Sequence, residues 1–206
     1  MMMRFFTTVF GFLSLALALS SAGASSNPCH LLAGAVPEKV HGMLEVSDGT
    51  DAYEGKSIIY YAAVLGRVGA VDAWVSEENW RSLDPDIFSG AVIAGQVEVV
   101  NVLLNSGVDP DWRDSNGATA LLAAAACERL DMVELLIEAG ADVNAHNNDG
   151  LDPLIQAIVL GDIDIVLALL NAGFDLSQSR LVNGLGPRDV AERVGNDEIL
   201  KLLYAQ

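Results

Sequence analysis

A 33-residue repeat in the second half of the sequence limits what this chain can fold into. Gly107, Gly140 and Gly173 each follow an apolar run with helical spacing. Each glycine is followed two residues later by an aspartate, and these are Asp109, Asp142 and Asp175. A unit of this length cannot bury its apolar side alone, so several units must stack. The repeat therefore predicts a solenoid whose function depends on its long exposed surface.

Residues that favour helix ends recur in register with these glycines. The position before the first helix of each unit holds a short side chain whose oxygen can accept a hydrogen bond from the first turn, namely Ser57, Asp86, Thr119 and Asp152. Glycines that tolerate a left-handed conformation end the first helices at Gly66, Gly95, Gly161 and Gly195. Glu128 occupies this column in the third unit, which leaves the conformation of that turn open.

The second helix of each unit carries one apolar stripe with the spacing i, i+3, i+4. The stripes are Val100, Leu103 and Leu104; Val133, Leu136 and Ile137; Val166, Leu169 and Leu170. We predict that they form the core. Between units, pairs that accept positive φ predict a small hairpin finger at Asn116–Gly117, Asp149–Gly150 and Asn183–Gly184. Arg188 and Asp189 predict a polar cap on the last unit.

Three stretches of sequence mark the beginning of one unit, the end of that unit and the beginning of the next. They are Asn116–Leu121, Glu138–Ala145 and Asp149–Leu154, and they resemble the ankyrin repeat family. The resemblance covers residues 55 to 204. It implies an all-α repeat fold, an ankyrin solenoid of helix-turn-helix units with short β-hairpin fingers. The units span about 55–80, 81–113, 114–146, 147–180 and 181–206, and residues 25–54 form an N-terminal tail and capping segment.

The segment Met1–Ala24 has the pattern of a signal peptide. One positive charge at Arg4 precedes an uncharged apolar stretch from Phe5 to Leu19, and small residues follow up to Ala24. The apolar stretch has about 15 residues, whereas a membrane-spanning helix needs about 20. We predict cleavage after Ala24 and a periplasmic or secreted protein that has no membrane contact afterwards. A retained N-terminal anchor is the alternative.

The chain is strongly acidic, with 28 acidic and 11 basic residues and a formal net charge of −17. Such a chain repels phosphate backbones and anionic membrane surfaces, so nucleic acid is not expected as a partner. A basic protein is the better expectation. The alternative is that the acidity only keeps an exported solenoid soluble. We expect the protein to be a monomer.

Two cysteines, Cys29 and Cys127, would meet an oxidising compartment after export. Cys127 lies at the end of the first helix of the third unit, whereas Cys29 precedes the segment Pro37–Val46, which is predicted to cap the opposite end of the stack. The eight residues from Cys29 to Pro37 span at most about 28 Å, so a bridge needs the tail to lie along the stack. Since disulfide geometry is tightly constrained, we expect two separate thiols, with a Cys29–Cys127 disulfide as the alternative.

The sequence contains no convincing motif for catalysis, a cofactor or a metal. Gly55–Ser57 has the form of the end of a phosphate-binding loop, but the required earlier glycine is replaced by Thr50. His30, His41 and His146 fall in three different segments, so they are not expected to converge on a metal. We therefore expect an interaction protein that is not an enzyme, with no cofactor and no catalytic residues.

In the ankyrin family, partners generally bind to the fingers and to the exposed side of the first helices. The matching finger positions are Trp112, Arg113, Ser115, His146, Asn147 and Asn148. Trp112 and Arg113 stand out because tryptophan and arginine often dominate the energy of interfaces. The alternative for Trp112 is that it folds down onto the neighbouring unit.

The ends of the first helices hold an unusually apolar series of residues, which we call the ridge. It comprises Val64 and Leu65, Ile93 and Ala94, Ala126 and Cys127, and Val159 and Leu160. If the ridge is exposed, it forms a contiguous apolar patch of the kind that marks a partner site. If the stack curves tightly, the same residues provide packing between repeats. The first interpretation is slightly favoured.

Two classes of function are compatible with the sequence. The first is an exported, non-catalytic scaffold that docks a protein partner through its fingers and concave groove, in an inhibitory, immunity, adaptor or protective role. The second is a secreted effector or an accessory subunit of an enzyme complex.

Overall fold

The computed structural model describes residues 29, 40, 52–53, 56–75, 84–115, 117–179 and 184–205. The predicted signal peptide and most of the predicted tail and capping segment lie outside these ranges. Within Pro37–Val46 only Val40 is described, and it is fully buried in a helical conformation.

The described part of the chain forms ten helices in five helix-turn-helix pairs. The first helices of the pairs are α1 (Ile58–Val64), α3 (Ile87–Ile93), α5 (Ala120–Ala126), α7 (Pro153–Leu160) and α9 (Pro187–Val194). The second helices are α2 (Val68–Val75), α4 (Val97–Asn105), α6 (Leu130–Glu138), α8 (Ile163–Asn171) and α10 (Asp197–Tyr204). The first helices contact one another from each unit to the next, so they form one continuous layer. This architecture confirms the predicted all-α repeat solenoid.

The predicted apolar stripes form the centre of the stack. The first two members of each stripe, from Val100 and Leu103 to Val166 and Leu169, have no exposed surface. They belong to one core cluster that runs through all five units. Because each unit contributes only one stripe, the core is continuous only when the units are stacked.

Three of the four predicted helix caps are present. The Thr119 hydroxyl accepts a hydrogen bond from Leu122 N at 3.4 Å, and a carboxylate oxygen of Asp152 accepts one from Ile155 N at 2.7 Å. Ser57 caps α1 in the same way. The prediction for Asp86 was wrong, because its side chain makes no capping hydrogen bond and binds outside its own helix.

The turns between paired helices use the left-handed conformation throughout the described units. The φ angles of Gly66, Gly95, Gly161 and Gly195 are 69°, 75°, 77° and 76°. Glu128 adopts the same conformation with φ of 54°, and it is the one residue other than glycine with positive φ in the described part of the chain. The third turn therefore keeps the shape of the others without their glycine.

The fingers are tight turns with very little strand pairing. Asp114 N donates to Ala118 O at 2.9 Å, and at the equivalent place in the next finger Asn147 N donates to Leu151 O at 3.0 Å. Gly117 and Gly150 take the predicted positive φ, whereas Asn116 and Asn183 lie outside the described residues.

The described part of the chain contains two short antiparallel strands, β1 (Ala52–Tyr53) and β2 (Lys56–Ser57), just before α1. A single isolated bridge joins Arg113 to Thr119.

The last unit presents the predicted polar cap. Arg188 and Asp189 are exposed on α9. The Arg188 guanidinium donates to Leu203 O from Nε at 3.1 Å and from Nη2 at 2.8 Å, which ties α9 to α10. In the described part of the chain, none of the helices combines the length and apolarity needed to cross a membrane.

Candidate functional site

The repeated aspartates fold the base of each finger. A carboxylate oxygen of Asp109 accepts a hydrogen bond from Asp111 N at 2.9 Å, which forms a local turn. The same contact recurs at 2.9 Å from Asp142 to Asn144 N and from Asp175 to Ser177 N. The regular recurrence of these aspartates is therefore explained by backbone geometry.

A second set of hydrogen bonds joins each finger base to the next. Asp111 Oδ1 accepts from Asp142 N at 2.8 Å, and one unit later Asn144 Oδ1 accepts from Asp175 N at 2.7 Å. We call these two inter-unit bonds the ladder. Sequence reasoning missed the ladder, although Asp111 and Asn144 occupy the same position of consecutive repeats, which was a visible signal.

A charged cluster links the first three units. Lys56 Nζ lies 3.3 Å from Asp84 Oδ1 and also forms a close ion pair with Asp86. Asp86 Oδ1 accepts a hydrogen bond from Ser115 N at 2.8 Å. Lys56 comes from the first unit, Asp86 from the second and Ser115 from the third. Because the Asp86 carboxylate binds Lys56 and Ser115, it does not cap its own helix.

The electrostatics of this cluster favour its ionised state. Burial alone raises the pKa of Asp86, but the hydrogen bonds from Lys56 and Ser115 outweigh burial and leave the pKa lowered. Burial likewise disfavours the Lys56 ammonium, yet the bond to Asp86 and the charges of both aspartates leave its pKa raised. Both groups therefore stay charged at neutral pH.

Trp112 folds down onto the beginning of its own unit, the second. Its indole Nε1 donates to Pro85 O at 3.1 Å, and its half-buried ring packs against the core. The structure therefore shows the folded-down position that was the alternative for Trp112, although its hydrogen bond is made within the second unit and not to a neighbouring one.

Arg113 is exposed but is engaged by two fingers. Its Nη1 donates to Gly117 O at 2.7 Å within its own finger and to His146 O at 2.8 Å in the next. The guanidinium therefore holds neighbouring fingers at a fixed separation, while its remaining donors face solvent.

The other predicted finger residues divide into exposed and buried positions. Ser115, His146 and Asn148 have exposed side chains. Asn147 is only 7% exposed, and its Oδ1 accepts from Asp149 N and Leu151 N, both at 3.0 Å. Asn147 therefore shapes its own turn, and its side chain is almost inaccessible to solvent.

The ridge is neither fully exposed nor fully packed. Val64 and Cys127 are buried, whereas the other members are half-buried, namely Leu65, Ile93, Ala94, Ala126, Val159 and Leu160. Packing between repeats therefore covers part of these side chains, and the half-buried members keep some apolar surface accessible.

The expectation of two separate thiols was wrong. Cys29 and Cys127 form a disulfide with their Cα atoms 5.7 Å apart, across a sequence separation of 98 residues. The structure brings Cys29 alongside the third unit, at the centre of the ridge.

A small cleft of about 90 Å³ opens where the third and fourth units meet. It is lined by Asn144, His146, Gly150, Asp152, Phe174, Gln178 and Ser179. Burial raises the pKa of Asp152 despite its hydrogen bonds from Ile155 N and from the Ser179 hydroxyl. Because these bonds join a helix cap to the end of the same unit, we assign Asp152 a structural role. The described residues contain no group of three or more His, Cys, Asp and Glu side chains placed to hold a metal.

Comparison with known proteins agrees with this geometry. The sequence model of the family described as ankyrin repeats (3 copies) matches residues 88–180. No curated protein matches the chain.

Proposed function

The chain belongs to the ankyrin repeat family, whose repeats generally mediate protein–protein interaction, and on that premise we propose an exported, non-catalytic scaffold that docks a protein partner. The binding surface that we propose consists of the exposed finger side chains and the ridge. Such a scaffold acts as an inhibitor, an immunity factor, an adaptor or a protective chaperone for its partner.

The observation that carries this proposal is a row of exposed side chains on a rigid backbone. Ser115, His146 and Asn148 project from consecutive fingers. The ladder and the Arg113 bridge hold those fingers in place before any partner arrives. A partner then loses less conformational entropy on binding than it would against mobile loops, which favours affinity.

Charge supports a basic partner. The net charge of −17 attracts cationic surfaces over a distance of about 8–10 Å at moderate salt. The first turns of four second helices each present an exposed carboxylate at the same position of the repeat, and these are Glu98, Asp131, Asp164 and Asp197. We propose that this field speeds the encounter, while the ridge and fingers supply specificity.

Export is supported by two independent features. The Met1–Ala24 segment has the sequence pattern of a signal peptide. The Cys29–Cys127 disulfide is of the kind that persists in oxidising compartments such as the periplasm or the extracellular space. We propose that the protein acts there as a monomer after cleavage behind Ala24.

Site-specific photo-crosslinking tests the binding surface. A photoreactive amino acid is placed at His146 in a finger, at Leu160 on the ridge, and at Glu134 on the exposed side of α6 as the matched control. We expect the same protein adduct from His146 and Leu160 and none from Glu134. Equal adducts from all three positions, or adducts from Glu134 alone, would contradict the proposed surface.

The same adduct allows a test of partner charge. We expect the yield from His146 to fall several-fold between 50 mM and 500 mM salt, because screening weakens attraction to a basic surface. A yield that is independent of salt would leave docking intact but refute the basic partner. Trp112 and Arg113 are unsuitable probes, since both hold fingers in place.

A further inference from the structure

The side-chain amide of Gln156 lies in the layer of first helices and has no partner there. The helices α1, α3, α5 and α7 contain no charged residue, in a chain that has 28 acidic residues. The polar side chains of α3, α5 and α7 are those of Ser89 and Gln156. The Ser89 hydroxyl donates to Asp86 O at 3.2 Å. The Gln156 amide makes no hydrogen bond to a described residue, although Gln156 is only 2% exposed.

Gln156 lies on the side of α7 that carries the ridge. Successive residues of an α-helix are rotated by about 100°, so Gln156 is on the opposite side from Leu154 and Ile158, which belong to the core. Gln156 precedes Val159 by three residues and Leu160 by four, and positions with this spacing share a helix face. The amide therefore lies beside the ridge residues of the fourth unit and outside the core.

The repeat itself does not require an amide at this position. The equivalent positions of the second, third and fifth units hold Gly90, Ala123 and Val190, which are all buried. A buried amide that makes no hydrogen bond costs stability, because it has lost its bonds to water. The Gln156 nitrogen and oxygen are not among the described side-chain atoms that are both unbonded and sealed from solvent, so a small opening reaches them. A ligand that completes these hydrogen bonds would explain the amide.

The apolar surface beside Gln156 continues into the fifth unit. Helix α9 begins with Pro187 as α7 begins with Pro153, so Val194 occupies the position of Leu160. Val194 is 45% exposed, which is unusual for a large apolar side chain in the described part of the chain. Because α7 and α9 are neighbours in the layer, Leu160 and Val194 offer adjoining apolar surface to a ligand that reaches the amide.

We propose that this part of the ridge binds an extended segment of the partner protein, and that the Gln156 amide recognises the main chain of that segment. The side chain carries one carbonyl oxygen and one NH₂ group, so it can accept from the N–H and donate to the C=O of a single residue. In an extended chain these two groups point to the same side, whereas in a helix they are bonded internally. The segment is apolar and uncharged where it crosses α7, because α7 has no group to compensate a buried charge. This inference rests on the proposed function and adds the conformation and chemistry of the bound segment.

Binding of a capped amino acid to the full chain tests the inference without the partner. The probe is N-acetylleucine N-methylamide, and the control ligand is its depsipeptide analogue, in which an ester oxygen replaces the leucine N–H. Nuclear magnetic resonance follows the side-chain amide signals of isotopically labelled protein. We expect the Gln156 signal to shift with a Kd on the order of 1 mM for the probe. The analogue should bind about threefold or more weakly, because it cannot donate to Gln156 Oε1.

The Gln178 amide is the internal control. Its Nε2 already donates to Asp175 Oδ2 at 2.6 Å, and the side chain is exposed. Its signal should stay unchanged during the titration. Equal shifts of Gln156 and Gln178 would show unspecific contact with amides and would overturn the inference.

Gln156→Met is the matched variant, since it keeps an unbranched side chain of similar length and removes the amide. Its urea midpoint should be unchanged or higher, because no hydrogen bond is lost from the folded protein. The two ligands should bind this variant equally, as followed by the backbone signals of Val159 and Leu160. A preference for the probe that persists in Gln156→Met would overturn the inference. The same conclusion follows if the unsubstituted protein does not bind the probe at about ten times the expected Kd.

The crosslinked adduct from His146 separates this inference from the proposed function. We expect its yield to fall about threefold or more in Gln156→Met, because the partner segment loses its main-chain bonds. An unchanged yield would leave the scaffold intact and refute binding of the partner at Gln156. The absence of any adduct from His146 and Leu160 would refute the proposed scaffold surface, and the ligand preference would then decide the inference by itself.

Discussion

Glu128 adopts the left-handed backbone conformation that glycine adopts at the equivalent position of the other described units. A left-handed residue with a Cβ atom costs about 1 kcal/mol or more, because the Cβ approaches the backbone carbonyl. Glu128 follows the buried Cys127 directly. The left-handed turn and the disulfide therefore occupy adjacent positions in the third unit.

Glu128→Gly should stabilise the protein by about 0.5–1 kcal/mol. The substitution relieves the left-handed strain, although part of the gain is offset by the greater entropy of glycine in the unfolded chain. Urea denaturation should show a higher midpoint with an unchanged m-value. Gly161→Ala is the matched control, since an added Cβ there lies 3.7 Å from the nearest atom, in Asn196, and so reports the conformational cost alone. It should destabilise by about 1 kcal/mol, and a neutral result would contradict the strain argument.

Asp86→Asn should destabilise the protein by about 1–3 kcal/mol at pH 7, because it leaves the partly buried Lys56 ammonium without its closest partner. Urea denaturation gives the free energy of unfolding. Asp131→Asn is the control, since its ion pair with Arg129 leaves the aspartate side chain 53% exposed and should contribute less than about 1 kcal/mol. Equal losses in both variants would contradict the importance of the cluster.

The same cluster predicts a pH dependence with a definite sign. The pKa of Asp86 is lower in the folded protein, so its contribution to stability is complete above about pH 4 and is lost as the pH falls through the folded pKa. The pKa of Lys56 is raised, so its contribution is complete below about pH 10 and is lost as the pH rises through the folded pKa. The stability difference between Asp86→Asn and the unsubstituted protein should therefore shrink below pH 4. A constant difference from pH 3 to pH 7 would refute this linkage.

At the scale of elements, finger geometry depends on hydrogen bonds that cross from unit to unit. Each ladder bond pairs a side-chain oxygen of one unit with a backbone N–H of the next. A finger is therefore ordered by its neighbours as well as by its own turn. This explains how a loop with hardly any strand pairing can present side chains at fixed positions.

Asn144→Ala should destabilise the protein by about 1 kcal/mol, because Asp175 N loses its acceptor. Asn144→Asp keeps an acceptor oxygen, as Asp111 does one unit earlier, and should remain close to the unsubstituted protein. Thermal unfolding followed by circular dichroism distinguishes the two variants. If both lose stability equally, the loss comes from the asparagine amide group and the ladder is not its cause.

The elements were predictable because their signals are local. Glycine positions and apolar spacing predicted the inter-helix turns and the core, and both are confirmed. Asp86 was assigned wrongly because its preference for Lys56 and Ser115 depends on contacts between units, which no local pattern reveals. The disulfide was only the alternative expectation for a similar reason, since Cys29 and Cys127 are 98 residues apart in the sequence and no local pattern indicates that they meet.

At the scale of the whole molecule, the disulfide links two residues that are 98 positions apart in the sequence. In the chain-entropy account, a crosslink of this span restricts the unfolded state by about 5 kcal/mol, whereas disulfides typically contribute about 2–4 kcal/mol. Repeat proteins otherwise rely on contacts between neighbouring units, so they unfold readily from their ends. The bond between Cys29 and Cys127 instead joins the start of the chain to its middle.

Cys29→Ser and Cys127→Ser should each lower the free energy of unfolding by about 2–4 kcal/mol, and the double variant should lose no more than either single variant. Urea denaturation under oxidising conditions measures all three. Additive losses would show that each cysteine contributes through packing of its own and that the crosslink is not the main effect.

The ladder also decides how such a molecule can change its length. The side-chain oxygens of Asp111 and Asn144 each accept a hydrogen bond from a backbone N–H of the next unit. A duplicated copy of residues 114–146 could therefore form the same bonds with the units on both sides. A gene that gains one whole unit in register adds one finger and one ridge position, and the existing core does not have to repack. An insertion or deletion of any other size would misalign the ladder bonds that follow it. Duplication of a whole unit is therefore the route by which this architecture can enlarge its binding surface.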